Sequence, residues 1–433
     1  AGIVTATTFS GSGASLTNVP DSALSAVTAS KLTGALPALD GSALTGVAST
    51  ENIRTNTNAT FLQNINVSGI TTVGSAVTIS ESGIEASGIG ITCANINGTQ
   101  IGGRRNMIIN GAMTVAQRGT PTSASSYTSG GYGACDRWRL RAISTDQAAF
   151  VISQESDAPT GSGFTKSIKI ATSTAESSLD ANEIFHVSQR IEAQDLQHLK
   201  YGTSSALPTT LSFWVKAYQT GTYAINIYKP DSPNRQITAT YTISASNTWE
   251  FKTMTFPGDT AGGGITNDTG TGLQIYWLLA TGTDYTGTTS TSWANYANGG
   301  FANGQAVNIM SSTDNYFYLT GVQFEVGTQA TAFEHRSFGE ELTLCHRYYR
   351  VQSKTRGSGA NDGTNYVMMN SFPLSPPMRN TPTCAIYGSA NYNSNVTSIG
   401  TVNIAQDHVG FIANISDNGY WYYNNGWTAD AEL

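Results

Sequence analysis

Apolar residues recur at every second position along the middle of the chain. The runs are Ile168 with Ile170; Phe185 and Val187 with Ile191; Leu211, Phe213, Val215 and Ala217; Tyr223, Ile225 and Ile227; Trp249 and Phe251; Leu273, Ile275 and Trp277; and Phe317 with Leu319. Period two marks strands with one face buried and one face wet. Polar turns separate the runs, so residues 105–338 read as one large all-β domain, a sandwich. The last run passes Gly321 to reach Val322 and Phe324, an irregularity of the kind a β-bulge makes. A different period follows. Ser337 and Glu340 stand three apart, as a capping box requires, and Leu342, Cys345 and Tyr349 recur at helical spacing. A short helix is therefore expected to lead into a third unit, 339–433, a small C-terminal β tip that trimerises. Strands are expected there around Cys384 to Tyr387, Val409 to Ile415 and Tyr420 to Tyr423. The proline-rich stretch from Pro373 to Arg379 cannot be a central strand, because prolines lack the donor a ladder needs.

Before residue 105 the pattern changes. In residues 1–50, Gly11 to Val19 and Asp40 to Val47 resemble each other, with Lys31 to Pro37 a weaker third copy. Each unit offers only one or two aliphatic side chains and cannot bury a core alone. Stacking or winding with other chains would supply the missing surface, so a repetitive shaft segment is expected, with a flexible linker as the plain alternative. In residues 51–104, β-branched pairs such as Ile65 and Val67 or Val77 and Ile79 alternate with glycines. Narrow strands of this kind need neighbours to hide their edges, which suits a three-chain β-prism or triple β-helix. The expected assembly is an elongated homotrimeric fibre with an intertwined β shaft.

Composition narrows the functional classes. Charged residues make up 12% of the chain, about half the usual share. The 20 Tyr and 7 Trp argue against disorder. A net charge of −7 without any Lys/Arg run argues against nucleic acid as partner. No apolar run approaches the ~18 residues of a membrane span, so no membrane insertion is expected. The start lacks a basic-then-apolar leader, so no signal peptide is expected, and it opens on Ala1 without a Met, which suggests a processed or partial chain. Four cysteines lie far apart and form no C-x-x-C pair. Free thiols in a reducing cytosol are the expected state. The five histidines show no zinc-site spacing, and neither a metal nor any other cofactor is expected.

Four segments, in order, resemble motifs of the tail fibres of tailed bacteriophages. They are Arg105 to Gly119 (RNMIINGAMTVAQRG), Asp136-Arg137-Trp138, Leu211 to Ala217 (LSFWVKA), and Tyr316 to Tyr349 with its GVQFEVG, FEHRS and EEL-x-x-C-x-RYY elements. Met378 to Thr383 and the final Ala429 to Leu433 resemble fibre tips, and Gly11 to Val19 resembles repeats that lead into fibre heads. The resemblance implies a receptor-binding protein with a jelly-roll head similar to carbohydrate-binding modules. It further implies a parallel homotrimer in the virion, made in the host cytoplasm. Its N-terminal end would meet other phage tail proteins, and its partner would be host surface polysaccharide or lipopolysaccharide.

Aromatic rings match the C–H faces of sugar rings, and neighbouring amides orient hydroxyls. Trp293 and Tyr296 in a loop rich in Asn, with Tyr285 nearby, have that mixture. So do Trp421, Tyr423 and Trp427. The plain alternative is that these rings fill the core or a chain–chain interface. A purely structural fibre or connector is one rival reading. A polysaccharide depolymerase is another, and would need a carboxylate pair. Glu183, Glu192 and Asp195 cluster in sequence, as do Glu334, Glu340 and Glu341, but neither spacing sets two carboxylates across a groove. Solvated surface is the expectation for both groups, and Asp136 with Arg137 is expected to form a structural pair. The reading that results is reversible adhesion to glycan by a non-enzyme.

Overall fold

The computed structural model describes residue 7 and residues 104–433, apart from 120–121, 125–130, 144–147, 288–290, 362–366, 388–394 and 416–418. The chain divides into Ala1–Ser87 and Gly88–Leu433, and all described residues but Thr7 belong to the second unit. The shaft expectations for 1–50 and 51–104 fall almost wholly outside the described residues.

The alternating runs become strands of a two-sheet antiparallel sandwich. In chain order these are β1 (Thr122–Ala124), β2 (Gly131–Tyr132), β3 (Arg139–Ile143), β4 (Ala149–Glu155), β5 (Ser167–Thr174) and β6 (Ile184–Glu192). Then come β7 (Thr209–Ala217), β8 (Gly221–Lys229), β9 (Arg235–Ile243), β10 (Glu250–Phe256), β11 (Thr271–Thr281), β12 (Ala294–Asn295) and β13 (Tyr316–Val326). One sheet has the order β1-β4-β5-β13-β7-β10 and the other β12-β9-β8-β11-β6-β3-β2.

The pairings from β5 onward are nested. β5 pairs with β13, β6 with β11, β7 with β10 and β8 with β9, and successive pairs fall in opposite sheets. This is the strand order of a jelly roll, a long antiparallel ribbon wound over itself. The inward phase of each run fills the space between the sheets. Leu211, Phe213, Val215 and Ala217 meet Tyr223, Ile225, Ile227, Leu273, Ile275 and Trp277 there. Trp277 stands edge-on to Trp138 at 5.4 Å and to Phe213 at 5.8 Å, the arrangement ring quadrupoles favour. One run has the opposite phase. Phe251 is exposed and lies beside Trp214, while Met254 and Phe256 take the inward side of β10. The expected irregularity at Gly321 is a register shift between Thr320 and Gln323. With φ +61° and the Phe164 ring 2.7 Å from where a Cβ would sit, only glycine fits there.

The capping box forms as expected at α1 (Phe338–His346). Ser337 Oγ accepts from the Glu340 amide, and Glu340 Oε2 accepts from the Ser337 amide at 3.0 Å. Among the described residues no helix is long and apolar enough to cross a membrane. Beyond α1 come β14 (Tyr349–Asn361), β15 (Val367–Pro373), β16 (Thr383–Tyr387), β17 (Val396–Val402), β18 (His408–Ile415) and β19 (Gly419–Asp430). They make two three-stranded sheets, β14-β19-β16 and β15-β18-β17. Leu374, Met378, Val409, Phe411, Trp427 and Ala429 form the main core of this region.

Most of the segments that resemble fibre motifs, though not Leu211 to Ala217 in the middle of the sandwich, converge on one junction between the sandwich and this C-terminal region. Asn110, fully buried with φ +59°, donates from Nδ2 to the carbonyls of Val115 (2.8 Å) and Asp136 (2.9 Å) and accepts from the Val115 amide. Its backbone carbonyl accepts from Trp138 Nε1, and its amide donates to Glu341. Gln117 Nε2 donates to the Tyr349 carbonyl, and Arg118 lies 3.5 Å over the Tyr349 ring. Arg379 donates to the carbonyls of Ala431 and Glu432. Asp136 and Arg137 do not pair with each other. Arg137 has φ +72°, which turns adjacent side chains apart. Asp136 accepts from Gln117 and faces Arg118, whereas Arg137 pairs with Glu432 beneath the Tyr348 ring. The buried Cys135 and Cys345 thiols, both free, sit in this region.

Candidate functional site

On the seven-stranded sheet the inward residues are mostly apolar, and the outward ones mix polar groups with a second apolar cluster of Ile184, Ala224, Tyr276 and Leu278. Register sets the outward side chains in rows. Arg139, Ser188, Tyr276, Asn226 and Thr238 stand in line across β3, β6, β11, β8 and β9. A parallel row holds Arg190, Gln274, Tyr228 and Gln236. On the other side of the first row, Arg141 faces His186.

The segment between β11 and β13 folds over part of this face. Gln236 Nε2 donates to the Ala297 carbonyl and Thr238 Oγ1 to the Gly300 carbonyl, each at 2.8 Å. These bonds seat Phe301, whose ring stands edge-on to Tyr276 at 4.8 Å. Tyr285 and Tyr296 flank Phe301, each with centroids 6.2 Å away, and Tyr296 also meets Tyr228 at 5.3 Å. The Tyr296 ring is 39% exposed, and its hydroxyl donates to Asn298 Oδ1 at 2.8 Å.

The electrostatics of the face follow from its arginines. Burial, then the charges of Arg139, Arg141 and Arg190, hold the His186 imidazole well below its ordinary value, so it stays neutral. Burial raises the Tyr296 hydroxyl, helped by Tyr285 and Tyr228, while Arg141 pulls the other way. His186, opposite Arg141, stands edge-on to Tyr276 at 4.7 Å, which links the arginine to the aromatic group. Arg190 Nε donates to Gln274 Oε1 at 3.2 Å. Such a surface offers the Tyr296 ring and the half-exposed Arg141 and Arg190, while the amides of Asn226, Gln236 and Gln274 are buried beneath it. Among the described residues there is no cluster of three His, Cys, Asp or Glu side chains fit to hold a metal.

The structure unites only some of the aromatic residues singled out in the sequence. Tyr285 and Tyr296 share this face. Trp293 is half-buried at a different spot, edge-on to Tyr201 at 5.5 Å with Nε1 donating to the Pro257 carbonyl at 2.7 Å. Trp421 is 2% exposed and Trp427 5% exposed. Trp427 packs in the C-terminal core and donates to Thr355 Oγ1 at 2.8 Å, and the Trp421 ring lies against Gly359, where a Cβ would come within 2.7 Å. Their faces are occupied by the protein's own atoms, a correction to the sugar-contact expectation for these two. The ring of Tyr423 lies outside the described residues.

Asp195 and Glu340 keep the solvated surface expected of them, and the other carboxylates depart from it. Glu192 is fully buried between Arg347, Tyr348 and Gln194. Glu341 accepts from the Asn110 amide, Glu334 from the Arg105 and Asn106 amides, and Glu340 closes the helix cap. Glu183 is buried beside Glu176 and accepts from the Asp180 amide at 2.7 Å. Asp195 is exposed and lines a cavity of about 390 Å³ with His198, Arg336 and Arg347. A second cavity, of about 310 Å³, lies between His346, Arg350, Lys354, Arg356, Phe372 and Trp427.

No family model matches the chain, and no curated protein matches it. Solved structures do. A tailspike enzymatic domain of bacteriophage CBA120 aligns at 13% identity and TM-score 0.27, over 51% of this chain and 21% of that one. A family 11 carbohydrate-binding module from Clostridium thermocellum, in complex with a mixed-linked tetrasaccharide, aligns at 10% identity and TM-score 0.24, over 50% and 99%. A xylan-binding domain of Paenibacillus barcinonensis aligns at 10% identity and TM-score 0.23, over 50% and 100%. At such scores these likenesses do not bear on what this sheet face binds.

Several members of the face were missed in the sequence: Arg139, Arg141, His186, Arg190 and Tyr228. The available signal was the phase opposite to the apolar one. In β6, His186, Ser188 and Arg190 alternate with Phe185, Val187 and Ile191. The six-stranded sheet carries a rival aromatic surface, with Trp249, Tyr316 and Tyr318 around Lys216 and Lys169. Its Lys216 is already paired with Asp157, which also accepts from Trp249 Nε1.

Proposed function

We propose that this chain is the adhesive part of a phage tail fibre and that it holds host surface glycan on the outer face of the seven-stranded sheet. The observation that carries this reading is the exposed Tyr296 ring, braced by Phe301, Tyr228 and Asn298 and set beside a row of amides and guanidinium groups. A sugar ring stacks on Tyr296 through its C–H face, and the exposed Asn298 and the half-exposed arginines orient its hydroxyls. The tail-fibre motifs of the sequence support the phage context. Attachment is reversible and breaks no bond, and the carboxylates considered for hydrolysis serve caps, amides and buried pairs. A parallel homotrimer would present three such faces on one shaft, so that weak single sites sum to firm attachment.

The test compares binding of labelled protein to Gram-negative and cyanobacterial cells before and after periodate, with an assay for released sugar. Binding lost on periodate, lowered by Tyr296→Ala and without sugar release, is the expected result. Released oligosaccharide would replace adhesion with depolymerase activity. Binding indifferent to both periodate and Tyr296→Ala would defeat the assignment of this face.

A further inference from the structure

The cations on this face stand out in a chain of net charge −7. Arg141 and Arg190 are half-exposed, lie on the adjacent strands β3 and β6, and flank the line of Arg139 and Ser188 from either side. Among the described residues neither Arg141 nor Arg190 forms an ion pair. Glu432, on the neighbouring junction, is already shared by Arg137 and Arg118. Arg190 is turned only to the neutral Gln274. Two buried polar atoms, Arg141 Nε and, on the 2% exposed His186, Nδ1, have no hydrogen-bond partner among the described residues. Like charges gathered on one sheet face repel each other, and buried polar atoms without partners cost stability. A bound anion relieves the repulsion, because guanidinium groups hold planar oxyanions with directed, charge-assisted hydrogen bonds.

We propose that the glycan taken by this face is acidic, its carboxylate or sulfate lying against Arg141 and Arg190 while a sugar ring of the same polymer rests on Tyr296. This rests on the adhesion reading above and names the class of sugar. The exposed Asn298 beside Tyr296 fits hydroxyls, and the arginines then discriminate between polymers of the same backbone by charge.

The experiment is affinity electrophoresis of the full chain in gels containing polygalacturonate, which carries carboxylates, dextran sulfate, which carries sulfate esters, or neutral dextran. Retardation by at least one acidic polymer and none by neutral dextran is expected, with the stronger arm identifying the anion. Arg141→Gln combined with Arg190→Gln should weaken that retardation about tenfold or more, and Arg141→Lys should restore part of what Arg141→Gln loses. Melting curves confirm that the variants fold. Lys354→Gln with Arg356→Gln, at the basic cavity of the C-terminal region, should leave retardation unchanged. Equal retardation in all gels, none in either acidic gel, or a loss confined to the Lys354 and Arg356 variant would each overturn the acidic assignment. If cell binding still depends on Tyr296 in those cases, adhesion stands and only the acidity falls. If cell binding ignores both Tyr296 and periodate, both readings fall together.

Discussion

Arg347 grips Glu192 with two hydrogen bonds, Nε to Oε2 at 2.8 Å and Nη2 to Oε1 at 2.5 Å. The carboxylate has no exposure of its own, and the Tyr348 hydroxyl donates to it at 2.9 Å. Removing the guanidinium leaves a buried charge with too few partners, a loss of ~3 kcal/mol or more. Arg347→Ala should therefore lower the denaturation midpoint sharply, and Arg347→Lys should recover only part, since an ammonium cannot span both oxygens. Urea titrations of the three proteins check this. A midpoint unchanged in Arg347→Ala would mean that the grip contributes nothing to stability.

Asn110 satisfies its side chain entirely within the fold, through Val115 and the Asp136 carbonyl, and holds a left-handed backbone angle that asparagine tolerates better than most residues. Asn110→Ala strands the Val115 amide and two carbonyls in a buried site. A loss of ~3 kcal/mol or more is expected, seen as loss of soluble protein or as a large drop in melting temperature. Asn110→Asp should also destabilise, because a carboxylate cannot donate to the two carbonyls.

Glu183 supplies a pH dependence. Burial, and then the adjacent Glu176 carboxyl, push it up to about 7, against the lowering pull of the Asp180 amide. The unfolded chain ionises this group near 4.5. A raised folded value means that its contribution is fully present below the unfolded value and is lost as pH rises through the folded one. Over that window the folded form binds more protons, so stability from this group declines with pH. Glu183→Gln mimics the protonated state. Its melting temperature relative to the parent should climb between pH 4.5 and 7.5 and then level off. A difference independent of pH would refute the assignment.

Tyr296 and Trp293 lie three residues apart and should separate binding from folding. Tyr296→Ala removes a ring that is 39% exposed. It should lower cell binding about tenfold, the ~1.4 kcal/mol of one stacked ring, with little change in melting. Trp293→Ala forfeits the contact with Tyr201 and the bond to the Pro257 carbonyl. It should cost ~2 kcal/mol of stability. Paired melting and binding measurements decide, and the same profile for both variants would contradict the division.

Much of this architecture can be read from local patterns because each pattern has one cheap solution. Ser337 and Glu340 satisfy each other's amides, Gly321 takes a positive φ, and the runs in β7 and β8 must hide one side. The candidate site is harder to read. Period two says that two faces differ, but not which face has a second sheet upon it. Phe251 illustrates this, since its alternation with Trp249 points outward. Aromatic rings suit a core as well as a sugar, and Trp421 and Trp427 went to the core. The arginines of the face come from β3 and β6, which lie far apart in sequence, so only register brings them together. The carboxylates misled for a related reason: their amide and guanidinium partners are distant in the chain, as Glu192 and Arg347 show.

The nested pairing of β5 to β13 leaves one segment free of the winding. Between β11 and β13, Tyr285, Tyr296 and Phe301 precede the part that enters the core at Val307, Ile309 and Met310, and among the described residues their stretch joins the sheets through the two-residue β12, ring contacts and a few hydrogen bonds. Length and ring content can therefore change there without disturbing the order in which the ribbon winds. If the face holds host glycan as proposed, a lineage facing a host that alters its coat can vary this insert while the junction residues stay as they are. New specificity should accordingly arise by exchange or duplication within this stretch, and grafting it between related heads offers a direct way to retarget them.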